Sequence, residues 1–336
     1  RMALASAACG PQGLSPVNAQ IARFPAGNRD FKDICRIFKL DTEGLQPHLE
    51  RHQLSLDDAI GFNHDDYNQH AAQKFSQMLL DEQFQAEVKA QTSENHANFI
   101  AYLKQEGFFE LDKIALVDIG WLGTIQHYLS DAIEDQANKP EIAGFMLGAI
   151  RMAPYRDTFD NHSEGLVFDA HRLNFFGSLS NSIKPMLEEV CRAPHPTTMG
   201  YESKQDKMQP VFRHTDDATG QGEIKQSDYY APLHQGILDF AKRYGPAARI
   251  YDYNSGELKP WLNFMYLAKV AFPKSAEIKR IRHQAHQDDF FGAHKPSKKA
   301  VKFDSSLWTA NDTQLRFNPL LRLKWFLSST LKFLKH

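Results

Sequence analysis

The sequence of 336 residues has no uninterrupted run of the roughly 18 to 20 apolar residues that a membrane-spanning helix needs, so it predicts no bilayer crossing. Cysteine is scarce. Cys9, Cys35 and Cys191 are far apart, odd in number and form no CxxC pair, which excludes a disulfide framework and a zinc knuckle and points to a reducing cytoplasm. Charge of one sign is missing as well: 39 Lys and Arg against 41 Asp and Glu leave a net charge of −2, without the basic field that gathers nucleic acid. The expected partner is therefore a small or neutral molecule and not nucleic acid. Fifteen histidines show no HxH or HExxH spacing, so no tight transition-metal site is expected. Neither GxGxxG nor GK[ST] is present, which removes the common dinucleotide and Walker phosphate loops.

What is present suffices for a sizeable core, since 42% of residues are hydrophobic and 24% charged. The opening Arg1-Met-Ala-Leu-Ala-Ser-Ala-Ala-Cys9 has neither the basic region nor the long apolar region of a signal peptide. A start on Arg reads as a piece of a longer chain. Residues 1–110 are expected to form a helical region packed on the core, because Phe31, Ile34, Cys35 and Phe38, then Phe75, Met78 and Leu79, then Phe99, Tyr102 and Leu103 recur at helical spacing. Residues 111–228 read as an α/β core with an insertion carrying short strands at Gly165–Phe168 and Gln209–Phe212 and a polar loop at Thr215–Gly222. A helical region follows over 229–295, with helices at Leu233–Tyr244 and Trp261–Phe272, then a basic tail over 296–336. The tail's end, Leu320–His336, is apolar and basic, suited to docking on the domain or a partner, or to peripheral contact with a membrane surface.

The chemistry concentrates at Ala115-Leu-Val-Asp-Ile-Gly-Trp-Leu-Gly-Thr-Ile-Gln126. Ile114–Val117 is a short apolar run of the kind found in a strand covered on both sides, Ile125–Ala137 reads as helix, and Ile142–Ile150 is a second apolar run. Strand, helix, strand is the order of a parallel βαβ unit, which predicts an α/β fold with a parallel sheet. Asp118 ends the strand, and Gly120, Trp121, Gly123, Thr124 and Gln126 form the turn and helix start, where glycines and unpaired amides suit a phosphate and the carboxylate suits sugar hydroxyls. A tight strand-to-helix connection with Asp118 as a local acceptor explains the same residues without chemistry.

The shape φφVDxGxxGT resembles the ribose-phosphate loop of phosphoribosyltransferases, although Ile119 stands where that loop usually carries a second acid. Val117–Gln126, Met186-Leu-Glu-Glu-Val-Cys-Arg-Ala-Pro-His-Pro-Thr-Thr-Met-Gly-Tyr201 and His286-Gln-Asp-Asp-Phe290 together resemble dual-domain ribofuranosyltransferases of bacterial surface-polysaccharide assembly. In these a haloacid-dehalogenase-like phosphatase domain is joined to a divergent glycan phosphoribosyltransferase domain. The resemblance implies a core like a divergent phosphoribosyltransferase fold. It also implies a phosphoribosyl pyrophosphate donor, a glycan acceptor, a phosphatase domain on the same parent chain, and O-antigen or capsule assembly in the cytoplasm or peripherally at the inner membrane. The phosphatase's DxD aspartate pair is not visible here, so the resemblance assigns the transferase part, with an upstream strand of that domain expected elsewhere.

A second cluster holds Glu188, Glu189, His195 and Tyr201. Its groups suit proton removal from an acceptor hydroxyl or contact with pyrophosphate and a metal, and they also suit a helix end followed by a proline-bounded loop. Adjacent glutamates on a helix point about 100° apart, so Glu188 is taken as the one facing the site. Asp118, Glu188 and His195 are the catalytic candidates; Gly120, Trp121, Gly123, Thr124, Gln126, Glu189 and Tyr201 are the substrate-binding ones. Mg²⁺ is expected with the diphosphate, without a dedicated protein site. Asp65-Asp66, Asp216-Asp217 and Asp288-Asp289 read as solvated turns. Two other readings stand beside transfer: a phosphohydrolase of the haloacid-dehalogenase type with Asp118 as nucleophile, although Gly120 occupies the place of its second acid, and a non-catalytic scaffold binding glycan or partner.

Overall fold

The computed structural model describes residues 2–24, 30–62, 65–151, 157–170, 187–188, 190–214, 216 and 218–251, with single positions among 254–265, 276, 320, 323 and 327. Glu189, Asp217, Asp288, Asp289, the 286–290 motif and most of the tail lie outside the described residues.

Six helices come first: α1 Met2–Gln12, α2 Pro16–Arg23, α3 Phe31–Phe38, α4 Thr42–Arg51, α5 Gln69–Met78 and α6 Glu82–Gln105. Their starts are chemically marked. Ser15, Asp30, Asp41, Asn68 and Asp81 each cap a helix with a side-chain oxygen that accepts a first-turn N–H, and Pro16 takes the first helical position of α2, where it forfeits no hydrogen bond. Phe31, Ile34, Cys35 and Phe38 on α3 are all buried, as their spacing predicts. They join Phe75, Met78, Phe84, Val88 and Phe99 in one core, which also takes in Tyr128 and Leu129 from the α/β part. Close approach of α1 to α6 requires Gly10, since a Cβ there would lie 2.4 Å from the His96 ring.

The α/β part follows: β1 Lys113–Trp121, α7 Thr124–Ala132, β2 Glu141–Ile150 and β3 Asn161–Ala170, a parallel sheet in the order β1-β2-β3. The chain is thus an α/β protein with a parallel sheet and large helical additions. β1 departs from expectation. Leu116 and Ile142 pack into the core, but Lys113, Ala115 and Val117 face outward, with Val117 84% exposed. The apolar run over 114–117 is therefore covered on one side, because β1 is the first strand of the sheet and α7 crosses on one face only.

A hairpin of β4 Thr198–Lys204 and β5 Lys207–Phe212 packs on α6, and the long helix α8, Ala218–Tyr251, follows. Two further expectations are corrected here. The polar stretch up to Gly222 is not a loop beyond 217, and a boundary at 228/229 falls inside one continuous helix. Gly220 is needed for space and not for a turn: a Cβ there would sit 2.1 Å from the His214 carbonyl oxygen. Pro232 and Pro246 lie within α8, which passes through them.

Candidate functional site

The turn after β1 is built from close backbone contact. Gly120 has φ +115°, and a Cβ on it would fall 2.1 Å from the Gly148 oxygen of β2, so only glycine lets the two strands meet there. The Gly120–Trp121 peptide is cis. Gly123 takes a left-handed conformation at φ 74° and opens α7, which places the positive end of the helix dipole at the turn.

A cavity of about 650 Å³ lies beside this turn, lined from Trp121 at the end of β1 and Ile150 at the end of β2 to Asn161 at the start of β3, within the size range of small-ligand sites. Trp121, Leu122, Gly123, Gln126 and His127 line it from the β1-α7 side, Met146, Ala149, Ile150 and Arg151 from β2 and its end, and Asp157, Asn161, Ser163 and Asp169 from the third strand and its approach.

Three of the residues singled out from the sequence therefore reach the cavity: Trp121, Gly123 and Gln126. Gln126 is engaged structurally as well. Its Nε2 donates to Asn161 Oδ1 at 2.7 Å and to the His162 carbonyl at 2.8 Å, tying α7 to the third strand. Asp118, Gly120 and Thr124 do not line the cavity. Asp118 pairs with Met146 across the β1-β2 ladder and is half-buried. The strand continues past Asp118 to Trp121, which lines the cavity with Leu122.

The second cluster separates. Glu188 accepts a hydrogen bond from Trp121 Nε1 at 3.2 Å, which brings it to the cavity's tryptophan, while Leu187 packs against the Trp121-Val167 cluster. His195 is exposed, bonded through Nδ1 to its neighbour's carbonyl, Pro196 O, at 2.8 Å and packed on Phe212 of the hairpin. Tyr201 is stacked on Tyr102 with centroids 4.5 Å apart, and burial pushes its hydroxyl up to about 12. Neither His195 nor Tyr201 lines the cavity.

The cavity's charged groups were not singled out from the sequence. Arg151, one residue past β2, forms a bidentate pair with Asp169, Nε to Oδ1 at 2.8 Å and Nη2 to Oδ2 at 2.7 Å, and Nη1 reaches Asp157 Oδ2 at 2.9 Å. The Ser163 hydroxyl accepts from the same guanidinium at 2.7 Å, and its main-chain oxygen accepts a further short bond. These bonds, that with Asp169 foremost, hold Arg151 above its ordinary value. Two carboxylates and one cation are thus locked in place on one wall.

His127, one turn into α7, also lines the cavity. Its Nε2 lies 2.9 Å from Asn18 Oδ1 and 3.6 Å from Asp131 Oδ2, and Asn18 Nδ2 donates to Asp131 Oδ2 at 2.9 Å. Because the Asp131 carboxylate only accepts, it turns the Asn18 amide so that Asn18 Oδ1 faces the ring, which places the imidazole proton on Nε2 and the lone pair on Nδ1. Burial lowers the His127 pKa, opposed by the charge of Asp131, and burial raises that of Asp131. His127 is therefore a neutral base at neutral pH. The i,i+4 spacing of His127 and Asp131 directly after a glycine turn is the one local signal that could have marked them.

Among the described residues no three His, Cys, Asp or Glu side chains converge as metal ligands. Mg²⁺ needs less, since it binds through one or two carboxylates and the substrate's own phosphates. Asp157 fits that part: its Oδ1 accepts only a 3.3 Å bond from Ser163 Oγ. No family model and no curated protein matches the chain.

Proposed function

We propose that the chain is the transferase part of a glycan-assembly enzyme that moves a phosphoribosyl group from phosphoribosyl pyrophosphate to a glycan hydroxyl, working in the cytoplasm or at the inner membrane. The observation that carries this reading is a small-ligand cavity on a parallel sheet, lined by Trp121 and Ile150 at the carboxyl ends of two strands and by Gly123, which opens α7. Ligands of open α/β sheets bind at the carboxyl ends of strands, and phosphates favour helix starts. The motif resemblance supplies the sugar donor.

Roles follow from position. The turn at Gly123 and the first turn of α7 at Gln126 receive the 5′-phosphate, and Asp157 and Asp169, oriented by Arg151, accept hydrogen bonds from ribose hydroxyls, the task first expected of Asp118. Trp121, steadied by Glu188, walls the cavity. The bond from the anomeric carbon to diphosphate breaks, an acceptor oxygen bonds to that carbon, and the acceptor's proton passes to His127 Nδ1. Asp157 would meet Mg²⁺ brought by the diphosphate, and the ion would neutralise charge on the leaving group.

Calorimetric titration of the full chain with phosphoribosyl pyrophosphate tests the assignment. Binding is expected, weakened at least about tenfold by Asp157→Asn and little changed by Asp118→Asn. No binding by the unaltered chain, or a loss confined to Asp118→Asn, overturns it.

A further inference from the structure

Helix α8 is about 50 Å long at the usual rise per residue, and among the described residues its buried positions lie in the first half, up to Tyr230. Glu223, Gln226, Ser227 and Tyr230 are buried. Beyond them Leu233, Ile237, Phe240 and Tyr244 follow at steps of four, three and four, which lays them along one stripe. All four are exposed, Ile237 at 42%, Leu233 at 46% and Phe240 at 65%, and Phe240 stacks on Tyr244 with ring centroids 5.3 Å apart. A water-facing stripe of this kind is costly, and the helix has little intrinsic strength to offset it: Pro232, Gly236, Gly245 and Pro246 all fall within this stretch.

Charge decides what suits the stripe. Residues 231–251 carry Lys242, Arg243 and Arg249 against Asp239 alone. At 100° per residue Lys242 and Arg249 fall on the face opposite the stripe, with Arg243 at its margin. An apolar, aromatic face backed by cations is the pattern of a helix lying in the interface of a negatively charged lipid surface, with the cations held among the headgroups. No described acidic residue pairs with any of the three in an ion bridge, so their charge is presented to whatever the helix meets. Among the described residues no helix is long and apolar enough to cross a membrane, so the contact would be superficial.

We propose that the Leu233–Tyr244 face of α8 is a docking surface for an anionic lipid bilayer. This inference stands independently of the donor reading. It adds a folded element to the contact expected of the 320–336 tail, which carries Arg322, Lys324, Lys332 and Lys335 and no acidic residue.

The test is flotation of the full chain with phosphatidylcholine vesicles that contain or lack phosphatidylglycerol. Binding to the anionic vesicles is expected, weakened by salt and by omission of the anionic lipid. Ile237→Glu with Phe240→Glu, and separately Lys242→Glu with Arg249→Glu, should each lower binding about tenfold or more, with unchanged circular dichroism because these side chains are exposed. Absence of flotation, or flotation that both helix variants leave unchanged, overturns the proposal. So does a protein that self-associates through this face, shown by dissociation in the Ile237→Glu, Phe240→Glu variant, without binding vesicles.

Discussion

Asn18 and Asp131 are 113 residues apart in sequence and meet at 2.9 Å, Asn18 Nδ2 donating to Asp131 Oδ2 while the other end of the same amide holds His127. Through this contact the N-terminal helices fix the tautomer of a histidine that lines the cavity.

Stability should carry the mark of that histidine. Its pKa in the folded state is lowered by burial, so the unfolded chain binds the proton more readily. The stability contribution is fully present above the ordinary histidine value of about 6.5 and is lost as pH falls through the lowered folded value. Urea denaturation across this range is expected to show declining stability towards acid, with a flatter acid limb in His127→Gln. Asp131 acts oppositely, its raised folded pKa contributing stability at low pH that is lost as pH rises through that value. An identical pH profile in wild type and His127→Gln would contradict the assignment.

Gln126 and Gly144 form a coupled pair. A Cβ at Gly144 would lie 1.9 Å from Gln126 Oε1, and Gln126 is buried with its amide spent on the third strand. Gly144→Ala is expected to cost about 1–3 kcal/mol by overpacking. Gln126→Ala should cost a similar amount, about 1–3 kcal/mol, through the groups it leaves unpaired. In a double-mutant cycle the combined change should cost less than the sum, because the shorter side chain removes the clash; strict additivity would show that the two do not meet.

Glu223 is 2% exposed, accepts from the Thr197 amide and hydroxyl at 2.9 and 2.7 Å, and lies 3.8 Å from both Arg192 and Arg213. Removing this carboxylate leaves the Thr197 amide and hydroxyl without their buried acceptor and takes an ion partner from both arginines, so Glu223→Ala should cost about 1–3 kcal/mol. Chemical denaturation reads the change directly, and a loss below about 1 kcal/mol would mean that the site relaxes or admits water.

Tyr201 was expected to touch substrate and instead packs on Tyr102 and Phe99. Its hydroxyl stays protonated in the folded chain up to about 12, against an ordinary value near 10. The corresponding stability is present below pH about 10 and is lost as pH rises through the folded value. Spectrophotometric titration should show one tyrosine ionising late, absent from Tyr201→Phe, whose donor binding is unchanged. Weakened binding in that variant would restore the original assignment.

Much of the fold was legible in local patterns. The spacing of Phe31, Ile34, Cys35 and Phe38 identified a buried helix face, and the order of apolar runs about Gly120–Thr124 identified the parallel β1-α7-β2 unit. The start of α8 was not legible. Thr219, Gly220 and Gly222 carry turn chemistry, and what overrides it is tertiary: Glu223 anchors the first turns, and Gly220 is demanded by His214. The site was half legible. Trp121 and Gly123 belong to a continuous motif, whereas the partnership of His127 with Asn18 spans 109 residues and leaves no trace in either neighbourhood. Arg151, Asp157 and Asp169 lie close in sequence but match no motif, because a clamp on one arginine can be built at many spacings. The end of β1 was not legible either: the strand continues through Trp121, three residues beyond Asp118, before the chain turns.

The central claim is that the cavity beyond Trp121 receives an activated ribosyl phosphate and passes it to a glycan. Incubation of the full chain with phosphoribosyl pyrophosphate labelled in its ribose, Mg²⁺ and a panel of glycan acceptors measures this directly. Label is expected to appear in a glycan with release of diphosphate, and to fall at least about hundredfold in His127→Gln, the range for loss of a general base. Unlabelled glycans across the panel, or transfer that His127→Gln leaves intact, would contradict the account.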